Sequence, residues 1–138
     1  PFMSDLAMPE PRGLGLIIQS ARVDRVHYAL LFAAGAAAVG RPVTLFFTMA
    51  GCLALNGLTA LLPADDGLSP VNYNAALMAK GVADFAELWE SLEALGARFQ
   101  ACDSGLVASD VSAPESIEVT GVVGFLADVG ADAQLIWV

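Results

Sequence analysis

The sequence predicts an α/β sandwich built around a parallel sheet. Two observations carry this: short apolar runs without polar alternation, and helical stretches that separate them. Strands covered on both faces read as continuous apolar runs, and parallel strands need a long crossover between them, usually a helix. Right-handed crossovers then put helices on both faces of the sheet.

The elements follow in order. "GLGLIIQS" (13–20) is the first buried strand. Arg25 to Val39 form an alanine-rich helix, with Asp24 as its N-cap and Gly40 in the left-handed position past its end. "PVTLFFTM" (42–49) is the second strand, and 50–57 is a short helix ending in an Asn-Gly turn. Residues 58–83 carry Pro63, Gly67, Pro70, Asn72, Asn74 and Gly81 and read as a flap-like loop, with a short helix around "NAALMA". Over 84–96, Phe85, Leu88, Trp89, Leu92 and Leu95 form one apolar stripe, Asp84 and Glu87 resemble a capping box, and Gly96 closes the helix. "ARFQAC" (97–102) is a third strand, followed by a turn or short helix over 104–110. A brief strand at 117–119, a helix over 120–130 ended by Gly130, and a buried strand at 133–138 complete one domain over 1–138. Residues 1–12 form an N-terminal extension.

Composition narrows the function. Hydrophobic residues make up 57% of the 138 and charged ones 15%, so most helices must be covered, by the fold or by other subunits. The first helix and the 50–57 helix are the surfaces expected to meet in a homo-oligomer. The net charge of −9 and the scattered Arg12, Arg22, Arg25, Arg41, Lys80 and Arg98 exclude a nucleic-acid surface and disfavour an anionic membrane. From Pro42 to Ala64 no charge appears, a length that suffices for a membrane span. Gly51, Asn56, Gly57 and Pro63 interrupt it, and "VTLFF" is strand-like, so the better reading is a strand and a covered helix. "PFMSDLAMPEPR" has neither the basic nor the apolar region of a secretory leader. The expected setting is a reducing cytoplasm, where both cysteines are thiols.

In parallel sheets ligands gather at the carboxyl ends of the strands. Those ends carry Gln19 and Ser20, then Thr48 and Cys52, then Cys102, Asp103 and Ser104. Backbone N–H groups of Ser104 and Gly105 would favour a Cys102 thiolate, whereas the Asp103 carboxylate opposes it. Cys102 is therefore either a nucleophile or a small residue ending a strand. Cys52 in its short helix admits the same two readings. If the second and third strands are neighbours, the two thiols lie near one another in one pocket, without a disulfide. His27, the only histidine, is a poor partner for Cys102 because it follows the first strand. No zinc spacing, phosphate loop or dinucleotide fingerprint is present, so no metal or cofactor is expected.

"YALLFAAGAAAVGRPVTLFFTMAGCLAL", "LEALGARFQAC" and "ASDVSAPESIEVTGVVGFLADVGADAQLIWV" together resemble the DsrE/DsrF-like sulfur-relay family, in particular its DsrE-like or peroxiredoxin-like branch. The resemblance spans about residues 13–57 and 84–138. It implies a five-stranded, mainly parallel sheet in a three-layer α/β/α sandwich of flavodoxin-like topology, assembled as a homo-oligomer. It also implies a sulfur-carrier cysteine at Cys102 that holds a persulfide between donor and acceptor proteins, without cofactor. Cys52, Asp103, Ser104 and Gly105 would then be auxiliary, and Ser20 and Thr48 binding residues. The chain departs from the branch after the cysteine, where Asp103, Ser104 and Gly105 stand in place of a nearby Ser-Met pair. The other reading is a non-catalytic, oligomeric module that binds a small ligand or serves assembly.

Overall fold

In the computed structural model, which describes residues 10–138, five strands pair into one parallel sheet. Residues 1–9, most of the expected N-terminal extension and of the segment read as lacking a leader, lie outside the described residues. The strands are β1 (Leu14–Ile18), β2 (Val43–Phe47), β3 (Arg98–Cys102), β4 (Glu118–Thr120) and β5 (Gln134–Trp137), in the order β4-β3-β2-β1-β5. The register sets Ile18 beside Phe47, Phe47 beside Ala101, and Cys102 beside Thr120. β1 and β2 are buried at every position, as their unbroken apolar sequence requires. The last strand is not buried as expected. β5 is an edge strand pairing only with β1, and its Leu135 and Trp137 are exposed.

The helices are α1 (Val23–Ala38), α2 (Pro70–Ala79), α3 (Phe85–Ala94), α4 (Asp103–Ser109) and α5 (Val122–Val129). The crossovers from β1 through β4 step one way across the sheet, so right-handedness sends them to one face. The connection from β4 back to β5 runs the other way and sends α5 to the opposite face. The core reflects this. Val26, Leu30, Leu88 and Leu92 pack with Leu16, Ile18, Leu45 and Phe47 in the larger cluster. Phe125 of α5 packs with Ile17, Phe46 and Cys102 in a smaller one, its ring stacked on Phe46 at 4.4 Å. The result is a three-layer α/β sandwich of flavodoxin-like type.

Local chemistry explains the boundaries. Gly40, Gly96 and Gly130 follow their helices with positive φ. The Asp84 carboxylate accepts the Glu87 N–H at 2.9 Å and caps α3. Asp24 is not the cap of α1, which begins at Val23 after Arg22. Its carboxylate instead accepts the N–H of Asp65 at 3.0 Å, tying the 58–83 segment to α1. That segment holds the ten-residue α2, whose Ser69 cap accepts the Asn72 N–H at 3.2 Å, so its helix is longer than the "NAALMA" signal suggests. Residues Met49–Asn56 form a 3-10 helix with Gly51, Cys52, Ala54 and Leu55 buried. Those four residues are covered by the chain itself, while Met49, Ala50 and Asn56 stay exposed. Among the described residues no helix is long and apolar enough to cross a membrane.

Two glycines are required for close approach. A β-carbon on Gly51 would overlap the Ile18 carbonyl, and one on Gly105 would overlap the Met49 backbone nitrogen. Gly35 in α1, by contrast, faces open space. Gly51→Ala is expected to cost about 3 kcal/mol or more in urea unfolding, because backbone rather than side chain must move. Gly35→Ala is expected to stabilise by about 0.5–1 kcal/mol through helix propensity. Equal effects of the two would contradict the packing described.

Candidate functional site

The direction of the crossovers reverses between β1 and β5, so the crevice for a ligand is expected at the carboxyl ends of these strands. Here Val138 closes against β1: its N–H donates to the Ile17 carbonyl at 2.9 Å, and Gln19 N–H donates to the Val138 carbonyl at 2.9 Å. Beside this junction lies an apolar cavity of about 260 Å³, walled by Ile17, Phe46, Thr48, Met49, Phe125 and Trp137, among others. Trp137 reaches over it, its Nε1 donating to Gln19 Oε1 at 2.9 Å. Met49 has φ 49°, a left-handed conformation that costs energy for a side-chain-bearing residue. That turn lets the chain leaving β2 fold back over the end of β1.

Cys102 lies behind the cavity wall. It ends β3, begins α4, and is 4% exposed, packed against Ile17, Phe46 and Phe125. Its Sγ is 3.9 Å from Asp103 Oδ1, to which it donates. The same oxygen accepts the Ser104 N–H at 2.7 Å and the Ser104 hydroxyl at 3.5 Å. The Ser104 N–H expected at the sulfur is thus committed to the neighbouring carboxylate. Gly105 serves the site by packing, since it is buried against the backbone of Thr48 and Met49. Ser109 Oγ donates to the Met49 carbonyl and fastens the far end of α4 to the same turn.

The remaining sequence-derived candidates separate. Thr48 lines the cavity. Ser20 does not face it freely, because its hydroxyl accepts the Arg22 N–H at 3.1 Å and shapes the entry to α1. Cys52 is fully buried in the larger core cluster, with its Sγ donating to the Phe47 carbonyl at 3.6 Å. Burial, and then the charge of nearby Cys102, push its thiol from an ordinary value of 9.0 up to about 11. The two free thiols are close enough to interact electrically but pack in different apolar clusters, rather than in the single pocket expected. His27 is buried among the helices, its Nε2 2.8 Å from the Ala83 carbonyl and its ring edge-on to Tyr73. It belongs to the face opposite Cys102 and is no base for it. Among the described residues no group of three or more His, Cys, Asp or Glu side chains is arranged to hold a metal ion.

Sequence reasoning missed Met49 and Trp137. The only signal for Trp137 was its alternation with Ile136 in a terminal strand, which marks it as facing away from the larger core. Comparison with known proteins adds no identity: no family model matches the chain, and no curated protein is significantly similar to it.

The raised Cys52 thiol makes stability depend on alkaline pH. The unfolded chain loses this proton near its ordinary value, whereas the folded chain holds it until about 11. Above the lower value the unfolded state binds fewer protons, so stability falls with rising pH across this window. Between pH of about 8 and about 10.5, the native chain is expected to lose roughly 2 kcal/mol more than Cys52→Ala in urea unfolding. Equal losses would contradict the assignment.

Proposed function

We propose that this protein is a sulfur carrier of the sulfurtransferase type, holding sulfane sulfur as a persulfide on Cys102. One observation carries the reading: Cys102 stands at the carboxyl end of a central strand, at the start of a helix and beside an apolar cavity. The resemblance of the chain around it to the DsrE/DsrF-like family supports the same residue. Cys52 is the weaker candidate because its thiol is fully buried and hard to ionise.

The transfer is a thiol exchange. The Cys102 sulfur attacks the outer sulfur of a donor persulfide, a new S–S bond forms, and the donor's own S–S bond breaks. The donor leaves as a thiol carrying the proton that Cys102 gave up, and no net oxidation occurs. An acceptor thiol repeats the exchange and releases Cys102. Asp103 draws the Ser104 N–H away from the nearly buried sulfur, so loading follows an opening of the first turn of α4. Protein donors and acceptors in a reducing cytoplasm fit this chemistry. Tyr28, Phe32 and Val39, exposed along one side of α1, support assembly as a homo-oligomer.

A second reading is favoured by the near-complete burial of Cys102: a non-catalytic module that binds a small apolar ligand in its cavities. Intact mass after exposure to a persulfide donor separates the two. The carrier gains one sulfur mass per chain that Cys102→Ala loses and Cys52→Ala retains. Loading that survives Cys102→Ala, or no loading at all, overturns the carrier reading.

A further inference from the structure

A second, larger cavity shares no wall with the residues packed around Cys102. It holds about 530 Å³, within the range of roughly 300–1,000 Å³ that takes a small organic molecule. The 3-10 helix Met49–Asn56 contributes Leu55, α3 contributes Trp89, β3 contributes Phe99, and the segment before β4 contributes Ile117. Trp89 is the centre of an aromatic stack, with ring centroids 4.7 Å from Phe99, 5.6 Å from Phe47 and 5.7 Å from Phe85. These rings fix the wall in place, so the cavity does not depend on a ligand for its shape.

Its electrostatics have one sign. The charged side chains on the wall are Glu90 and Glu93, both on α3, with no Lys, Arg or His among the lining residues. Neither carboxylate takes part in an ion pair among the described residues. An aromatic face attracts a cation through its quadrupole, and a carboxylate beside it adds to that attraction. An anionic ligand would meet two like charges and a protein of net charge −9.

We infer that this cavity binds an organic cation: an apolar or aromatic body seated on Trp89 and Phe99, with a protonated amine directed to Glu90 and Glu93. The site is independent of Cys102 and stands whether or not the sulfur-carrier reading does.

Three probes of one shape test it: phenylbutylamine, phenylbutanol and phenylbutanoate. Binding is followed by calorimetry on the unaltered chain and by Trp89 fluorescence in Trp137→Phe. The amine is expected to bind at least about fivefold tighter than the alcohol, with the carboxylate weakest. In the doubly substituted Glu90→Gln, Glu93→Gln chain the amine should fall to the affinity of the alcohol, whose own binding stays unchanged. Both positions are on the solvent side of α3, so the variant keeps its core. The inference is overturned if the amine binds no tighter than the alcohol, if its advantage survives loss of both carboxylates, or if no probe binds at millimolar concentration.

Discussion

The backbone of Gly51 lies against the Ile18 carbonyl with no space for a side chain, and the carboxyl edge of the sheet is organised around that approach. The Gly51 N–H is shared between the Gln19 and Thr48 carbonyls, each at 2.9 Å, and the Thr48 N–H donates to Ile18 at 3.0 Å. These bonds turn the chain leaving β2 across the end of β1 and drive Cys52 inward. Gly105 repeats the device from the side of β3, laying α4 on the Thr48–Met49 turn. A larger residue at either position would lift one helix from the sheet and open the edge to water.

Sealing the edge in this way gives the two thiols different chemistry. Cys52 has a carbonyl as its neighbour and an apolar surround, so its charged form is costly and it behaves as a small packing residue. Cys102 also packs against apolar side chains, but it opens a seven-residue helix and has a carboxylate as its polar neighbour. A seven-residue helix has fewer hydrogen bonds to lose on opening than the sheet beneath it. The strained Met49 lies where Ser109 and Gly105 of α4 both make contact. On the sulfur-carrier reading, loading at the nearly buried Cys102 requires local motion at this edge, whereas Cys52, within the larger core, is reached only on unfolding.

The sheet was legible in the sequence because β1 and β2 are buried on both faces and leave an uninterrupted apolar run. The left-handed glycines 40, 96 and 130 and the capping carboxylate of Asp84 were equally readable, since each acts on its own neighbours. What escaped depends on contacts distant in sequence. Asp24 looks like a cap from its type and position, yet Asp65, forty-one residues on, takes its second oxygen. Which apolar residues of 50–57 the chain itself covers could not be read from composition, because it depends on the packing of this segment against β1 and β2. β5 read as buried from its composition, although its place at the sheet edge exposes Leu135 and Trp137. The sequence put Cys102 at the end of its strand, as found, but left open where the Ser104 N–H points, which is decided by the rotamer of Asp103.

The central claim is that Cys102 becomes accessible by local opening of the edge and Cys52 by global unfolding. Site-resolved alkylation of the folded protein across a series of low urea concentrations tests it most directly. The account predicts a Cys102 rate that is measurable in buffer and nearly independent of urea. The Cys52 rate should be far slower and rise in step with the unfolding equilibrium. Parallel urea dependence at both thiols, or faster reaction at Cys52, would contradict it.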